Sequence, residues 1–125
     1  MAKTSDLMGL GMGPVLSDVL GLNPVAVTCA GTLSTTATAI SQDFNNLTAA
    51  SNQTGAILPA VGAGAGTVGA LGGAVVCGNS SATGAVVYPP SGATINGAAS
   101  HTIAQNGTAV YVYYSPTVLF AILSA

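Results

Sequence analysis

The segment "ATINGAASHTIAQNGTAVYVYYSPTVLFAIL", residues 93–123, decides the predicted fold of this chain. Within it, short runs rich in β-branched and aromatic residues alternate with Asn96-Gly97, Asn106-Gly107 and Ser115-Pro116. These dipeptides are turn signals, and Asn-Gly is a strong hairpin cue because both of its residues tolerate positive φ. The segment therefore predicts four short strands, at 93–97, 100–105, 108–115 and 118–124.

The same pattern extends through most of the chain. Further strand-like runs lie at 25–33, 35–44, 54–61, 74–79 and 84–89. The Gly-rich stretch at 62–73 is either a flexible connector or a closely packed strand. A spacing of about 8–12 residues between turn signals is typical of an all-β sandwich or barrel. We therefore predict an all-β domain over residues 24–125, either a sandwich resembling a jelly roll or a small barrel, with about eight short strands.

The composition predicts a thin core. Half of the residues are apolar, and most of these are Ala and Val. Large side chains are scarce, since the chain has two Phe, four Tyr and no Trp. Small side chains favour closely packed sheets over a helical bundle. Such a core also predicts that oligomerisation adds stability.

Residues 1–23 are predicted to be a separate N-terminal docking arm. Glycines at every second position from 9 to 13 favour an extended conformation, whereas Pro14 suits the first position of a short helix that stops at Gly21. A helix of two turns is not stable alone, so it must dock on its own domain, a neighbouring copy or a partner. The apolar face of this helix is predicted to consist of Val15, Leu16, Val19 and Leu20. The predicted contact residues of the arm are Leu7, Met8, Leu10, Met12, Leu16 and Leu20.

The run at 108–115 is apolar or amphipathic on both faces. Ala109, Tyr111 and Tyr113 share one face, and the even-numbered positions 110–114 share the other. Such a strand is central, or it is covered by a partner. The final run, "VLFAIL", is also apolar on both faces and must pair, because an open edge of this kind aggregates. The predicted oligomer interface is Tyr111, Tyr113, Tyr114 and Phe120.

Charge is nearly absent from this chain. Only 3% of residues are charged, against about 25% in ordinary soluble domains. Low net charge promotes association, which predicts that copies of the chain or a larger assembly cover its surface. A single Lys or Arg argues against nucleic acid as a partner. The most apolar stretch, 56–76, is rich in Gly and Ala and has no flanking cations, so we predict no membrane span. The amino end shows no basic region followed by an apolar core, so we predict no signal peptide.

The sequence contains no recognisable catalytic or metal-binding pattern. A Ser/His/Asp triad could be drawn from Asp43, His101 and one of many serines, but that choice reflects abundance rather than a motif. His101 is predicted to be a surface or hydrogen-bonded strand residue. Cys29 and Cys77 lie in apolar runs and are predicted to be buried thiols, with a disulfide left open. We predict no enzyme activity, no cofactor and no metal site.

Two segments carry a resemblance to known proteins: "DLMGLGMGPVLSDVLG" at 6–21 and "VVYPPSGATINGAASHTIAQNGTAVYVYY" at 86–114. With its Tyr-Pro-Pro-x-Gly-x-x-Ile-Asn-Gly core, the chain resembles small virion proteins of tailed bacteriophages, of the head decoration (cement) type. The run at 36–60 also looks like the intervening strands of such proteins. The chain departs from them at 115–123, where relatives more often have a Trp-containing strand.

The resemblance implies a structural protein that stabilises the phage capsid. It implies binding to the major capsid protein on the capsid exterior of the virion as an oligomer, commonly a homotrimer, after synthesis in the host cytoplasm. The alternative is a β-module of a tail fibre or spike that binds a host surface glycan. Residues that could form a weak sugar-binding platform are Tyr88, Tyr111, Tyr113, Tyr114, Asn96, Gln105 and Asn106.

Overall fold

The computed structural model describes residues 24–62 and 68–123, and in these residues it contains ten strands and no helix. The prediction of an all-β domain is confirmed. The predicted arm and its short helix lie outside the described residues. The strands are β1 Pro24–Thr28, β2 Thr38–Ala39, β3 Phe44–Thr48, β4 Gly55–Ile57, β5 Ala74–Asn79, β6 Ala85–Tyr88, β7 Thr94–Ile95, β8 His101–Ile103, β9 Thr108–Ser115 and β10 Val118–Leu123.

The strands form two sheets that share one core. The six-stranded sheet has the order β1-β3-β5-β9-β10-β7, and the four-stranded sheet has the order β2-β4-β6-β8. A single cluster of buried residues from both sheets lies between them. The described residues therefore form a two-layer β structure.

The first six strands alternate between the two sheets and build a parallel coil of three turns. The turns are β1 with β2, β3 with β4, and β5 with β6, and each turn pairs in parallel with the turns beside it. Consecutive turns stack apolar residues in register, as Val27 on Leu47 shows. One turn cannot bury its own apolar side, but three stacked turns enclose a continuous core.

The last four strands close the coil on one side. In the six-stranded sheet β9 is antiparallel to β5 and to β10, and β7 is parallel to β10. In the four-stranded sheet β8 is antiparallel to β6. A jelly roll is built from antiparallel strands and a closed barrel has no edges. Neither finer form, the jelly roll or the small barrel, is confirmed, because most of the pairings are parallel and both sheets have edge strands. The described residues hold ten strands rather than the predicted eight or so.

The Asn-Gly dipeptides do form turns. Asn96, Gly97 and Asn106 all adopt positive φ, between 50° and 80°. Asn96-Gly97 closes a single antiparallel bridge, in which Ile95 and Ala98 exchange backbone hydrogen bonds of 2.9 Å and 2.8 Å. The strands on either side of each dipeptide nevertheless lie in different sheets, so neither dipeptide joins two paired strands. The hairpin is β9–β10, where the Ser115 hydroxyl oxygen accepts hydrogen bonds from two backbone N–H groups, at 3.3 Å and 3.1 Å.

The core consists largely of small side chains, as the composition predicts, with a few large ones inserted. The large, fully buried side chains include Tyr111 and Tyr113 of β9. Their hydroxyls reach across to the other layer, Tyr111 to His101 of β8 and Tyr113 to the carbonyl of Pro59 just beyond β4. The small core residues are Val27, Cys29, Ala49, Ala56, Val75, Cys77, Ala85, Val87 and Ala109.

Candidate interaction surface

The six-stranded sheet carries an uncharged apolar surface on the side away from the core. The Cα register aligns Phe44, Val76, Val110 and Ile122 across β3, β5, β9 and β10, and a second row aligns Ala74, Val112 and Phe120. Successive side chains of a strand point to opposite faces of the sheet. On each of these strands buried residues stand next to the residues of the two rows, so the two rows face away from the core. We call the following set the outer face: Phe44, Ala74, Val76, Val110, Val112, Tyr114, Phe120 and Ile122.

The outer face is most accessible at its β9–β10 end. Tyr114 is 70% exposed, Ile122 65% and Phe120 48%. The rings of Tyr114 and Phe120 pack edge to face with centroids 5.7 Å apart. Two aromatic rings and a large aliphatic side chain in water, with no charge among them, make this end a candidate contact site.

The four predicted interface residues divide into two groups. Tyr114 and Phe120 lie on the outer face, whereas Tyr111 and Tyr113 are completely buried in the core of the same chain. Burial raises the pKa of both core tyrosines above the ordinary value. Tyr111 and Tyr113 are therefore core residues of their own chain and not, as predicted, contact residues for a neighbouring chain. The predicted contact residues of the arm, Leu7 to Leu20, lie outside the described residues.

Sequence reasoning missed most of the outer face. Phe44, Val76, Val110 and Ile122 come from four strands that are distant in sequence, and only the strand order brings them into one row. The only signal in the sequence that could have indicated the outer face was that β9 and β10 are apolar at both alternating sets of positions.

The free edge of β10 is blocked by a side chain. The Asn96 amide donates to the Ala121 carbonyl at 3.3 Å, and its Oδ1 accepts from the Ala121 N–H at 3.1 Å. Both backbone groups that another strand would use at this position are therefore occupied. As predicted, the last strand is paired: β10 lies between β9 and β7. At Ala121 its backbone groups are not available to a further strand, so a partner chain there can contact only the side chains of β10.

His101 is hydrogen-bonded within the chain. Its Nδ1 lies 2.8 Å from the Tyr111 hydroxyl, and the two rings pack edge to face at 5.9 Å. Burial lowers the pKa of His101 below its ordinary value of 6.5. The prediction of a hydrogen-bonded strand residue is confirmed.

This arrangement predicts a pH dependence of stability. The unfolded chain binds a proton on His101 more readily than the folded chain does. The contribution of His101 to the free energy of unfolding should therefore be constant above the unfolded pKa and should fall as pH drops below about 6.5. Urea unfolding at about pH 7.5 and about pH 5.5 measures this. The variant His101→Asn, which cannot titrate, should lose most of the difference; an unchanged difference in that variant would contradict the assignment.

The two cysteines are free and buried. Burial raises the pKa of Cys77 to about 12 and raises that of Cys29. In the register of the coil, Cys77 is level with Val25, four positions before Cys29, so the two thiols are not opposite each other. They serve as small core residues. In the described part of the chain, no group of His, Cys, Asp and Glu side chains is arranged to hold a metal ion.

The predicted sugar platform is not assembled in one place. Tyr111 and Tyr113 are in the core, Tyr114 is on the outer face, and Tyr88 borders an open groove of about 520 Å³. The groove is lined by a tyrosine, two prolines and several hydroxyl side chains, and the Tyr88 hydroxyl donates to the Thr32 carbonyl at 2.7 Å. Its lining residues include Leu33, Ser34, Thr35, Pro89, Pro90 and Ser91.

Comparisons with protein-family models, curated proteins and solved structures found no match to this chain. Within residues 24–62 and 68–123, no helix is long and apolar enough to cross a membrane.

Proposed function

We propose that this chain is a bacteriophage capsid decoration (cement) protein that binds the outer head shell as an oligomer, most simply a homotrimer. The observation that supports this most directly is the outer face. Eight apolar side chains share one side of a sheet in a domain whose described residues contain a single Asp, Glu, Lys or Arg, namely Asp43. Such a surface suits permanent contact with other protein and offers little to a charged ligand.

Within this proposal the contacts are divided between two parts of the chain. Tyr114, Phe120 and Ile122 contact a neighbouring subunit, and the arm contacts the major capsid protein or a neighbouring subunit. The outer face is small, so the contact with the shell gains its strength from multivalency: each copy of an oligomer raises the effective concentration of the others. Threefold positions on a shell match a closed trimer.

A binding experiment tests the proposal. Full-length protein is mixed with expanded heads of the phage that encodes it, prepared without this protein, and co-sedimentation is measured. We expect stoichiometric binding that changes little between about 0.05 M and 0.5 M salt, because apolar contacts are not screened. The double variant Phe120→Asp, Ile122→Asp should lose binding and oligomerisation.

The matched control places the same charge on the other sheet. Thr102 is exposed on β8, so Thr102→Asp should bind as the unmodified chain does. If the unmodified full-length protein fails to sediment with heads, or if both variants bind equally well, the proposal is wrong.

A second candidate is a tail-fibre or spike module that binds a host surface glycan. The groove beside Tyr88 favours it, because an aromatic side chain next to several hydroxyls is a common way to hold a sugar ring. Calorimetry with host surface polysaccharide distinguishes the two, since a decoration protein should show no sugar binding.

A further inference from the structure

We infer that two copies of this chain join edge to edge through β1, as an antiparallel strand pair related by a twofold axis at Ala26. The contact places Ala26 opposite Ala26 of the second copy, and Pro24 opposite Thr28. The inference goes beyond the proposed function, because it concerns the free protein and does not require a phage head. The contact proposed for the β9–β10 end of the outer face is separate, because β3 and β5 lie between β1 and β9.

β1 is the longest free strand edge in the part of the chain that the structure describes. The edge strands of the two sheets are β1, β7, β2 and β8, and only β1 is longer than three residues. The edge of β7 is closed, because the backbone N–H and C=O groups of Ile95 both bond to Ala98. Asn96 blocks the edge of β10 beyond β7. β1 is therefore the edge best suited to pairing with a strand of another chain.

The direction of each backbone group of β1 follows from its pairing with β3. The Cys29 N–H donates to the Thr48 carbonyl at 2.9 Å, so the odd-numbered residues of β1 direct their N–H and C=O groups toward β3. Alternate residues of a strand direct these groups to opposite edges. Pro24, Ala26 and Thr28 therefore direct theirs to the free edge. Residues 24–62 and 68–123 supply no hydrogen-bond partner for the N–H or C=O of Ala26.

The free edge of β1 is complementary to itself in one register. In an antiparallel pair centred on Ala26, the two Ala26 residues exchange N–H···O=C bonds, and the next hydrogen-bonded pair is Pro24 with Thr28. Pro24 has no N–H to donate. The Thr28 carbonyl opposite it needs no donor from the second copy, because the Thr38 hydroxyl already donates to it at 2.6 Å. The Thr28 N–H and the Pro24 carbonyl bond to each other, so every backbone group of this edge has a partner.

This match favours a second copy over an unrelated strand. An unrelated strand without proline would direct an N–H at the Thr28 carbonyl, where Thr38 already donates. The same register also covers an exposed apolar side chain: Val25 is 37% exposed and lies opposite Val27 of the second copy. Side chains of such non-hydrogen-bonded pairs approach most closely. No charged residue lies on β1, so like charges do not meet there.

The contact also covers the open end of the parallel coil. At the other end, β5 and β6 pair with β9 and β8. At the first end, the described residues place no further strand beside β1 or β2. The end turns of a stacked structure need a cover, and the same end of a second copy has the same strand spacing. An edge of five residues is small beside the roughly 1,200 Å² of a stable interface, so the pair forms mainly where copies are concentrated.

Disulfide trapping tests the inference on the full-length protein. Opposed residues of a hydrogen-bonded antiparallel pair have Cα atoms about 5.5 Å apart, a distance that a disulfide spans. Ala26→Cys should therefore form covalent dimers in a glutathione redox buffer. Thr28→Cys is the matched control, because it is exposed on the same side of the same strand, but in this register its two copies would be about 14 Å apart.

We expect dimers to form roughly tenfold faster, or more, in Ala26→Cys than in Thr28→Cys. The native cysteines are buried, so the unmodified chain serves as the blank. Equal rates in the two variants would overturn the inference, because they would indicate chance collisions or another register.

Amide exchange measured by NMR provides a second test. The Ala26 N–H should exchange several-fold more slowly at about 0.5 mM than at about 0.02 mM protein. Ala26→Pro lacks the central N–H, and proline is tolerated on an edge strand, so this variant should fold but lose the concentration dependence at the Thr28 N–H. The inference fails if Ala26 exchanges equally at both concentrations, as it would if the same chain covered the edge, or if Ala26→Pro keeps the dependence. Head binding is measured separately, so failure here is distinguishable from failure of the proposed function.

Discussion

Replacing Asn79 with Ala is expected to lower the free energy of unfolding by about 3–4 kcal/mol, from several lost hydrogen bonds at about 1 kcal/mol each and a small cavity. Asn79 is 2% exposed and ends β5. Its amide nitrogen donates to the carbonyls of Thr83 at 2.9 Å and Ile103 at 2.8 Å. Its Oδ1 accepts from the Ser81 N–H at 3.0 Å and from the Ser81 hydroxyl.

The cost is large because this one side chain joins three parts of the fold. It holds the turn from β5 to β6 and ties that turn to β8, across the two layers. After truncation the Ser81 N–H loses its acceptor, and the Thr83 and Ile103 carbonyls lose a donor. Buried polar groups left without a partner carry the desolvation penalty that the native bonds offset.

Urea unfolding of purified variants measures the effect. Asn46→Ala is the matched control, because Asn46 is an exposed Asn on the adjacent strand β3 and should change stability by less than about 0.5 kcal/mol. A loss below about 1 kcal/mol for Asn79→Ala would show that water or rearranged groups replace its bonds.

Tyr113→Ala is expected to destabilise the chain by about 3–5 kcal/mol, the range for truncating a large buried side chain. Tyr113 is completely buried, and its ring passes from the six-stranded sheet to the carbonyl of Pro59, where the hydroxyl donates at 2.8 Å. Tyr113→Phe removes only that hydrogen bond and should cost about 1 kcal/mol. Tyr114→Ala, one residue along on the opposite face, should change stability by about 0.5 kcal/mol or less.

The same three variants separate a core role from an interface role. Thermal unfolding at two protein concentrations reports both, because subunit contacts make the midpoint depend on concentration. Tyr113→Ala should lower the midpoint at every concentration, whereas Tyr114→Ala should weaken the concentration dependence. A strongly destabilised Tyr114→Ala with a nearly unchanged Tyr113→Ala would reverse the assignment of the two faces.

The strands of the C-terminal third could be predicted closely from local sequence. The runs at 108–115 and 118–124 became β9 and β10 almost residue for residue, because alternation and turn residues act over short distances. The prediction of a strand at 35–44 was less successful: only Thr38 and Ala39, which form β2, and Phe44, which begins β3, are in strands there. Most of that run instead carries the chain from one sheet to the other. Strand propensity does not distinguish a turn that is rich in β-branched residues from a strand.

Strand pairing could not be predicted, and with it most of the candidate site. Nothing in the sequence of β1 states that β3 rather than β2 is its neighbour, since a parallel partner is chosen by the whole stack. The Asn-Gly turns misled for the same reason, because they specify positive φ but not which sheet the next strand joins. The two core tyrosines were predicted to share a face with Ala109, and only the pairing showed that this face was the inner one.

The parallel coil has a consequence for how this molecule can change in size. Within the coil each turn pairs only with the turns beside it, and the third turn also pairs with β9 and β8. The thickness of the coil is therefore set by how many turns are stacked, at about 4.8 Å for each. The first turn runs from Pro24 to the residue before Phe44, about twenty residues, and its outer edges carry no further strand among the described residues. Duplicating or deleting one such unit would alter the height of the domain while leaving the β9–β10 hairpin and its exposed side chains as they are.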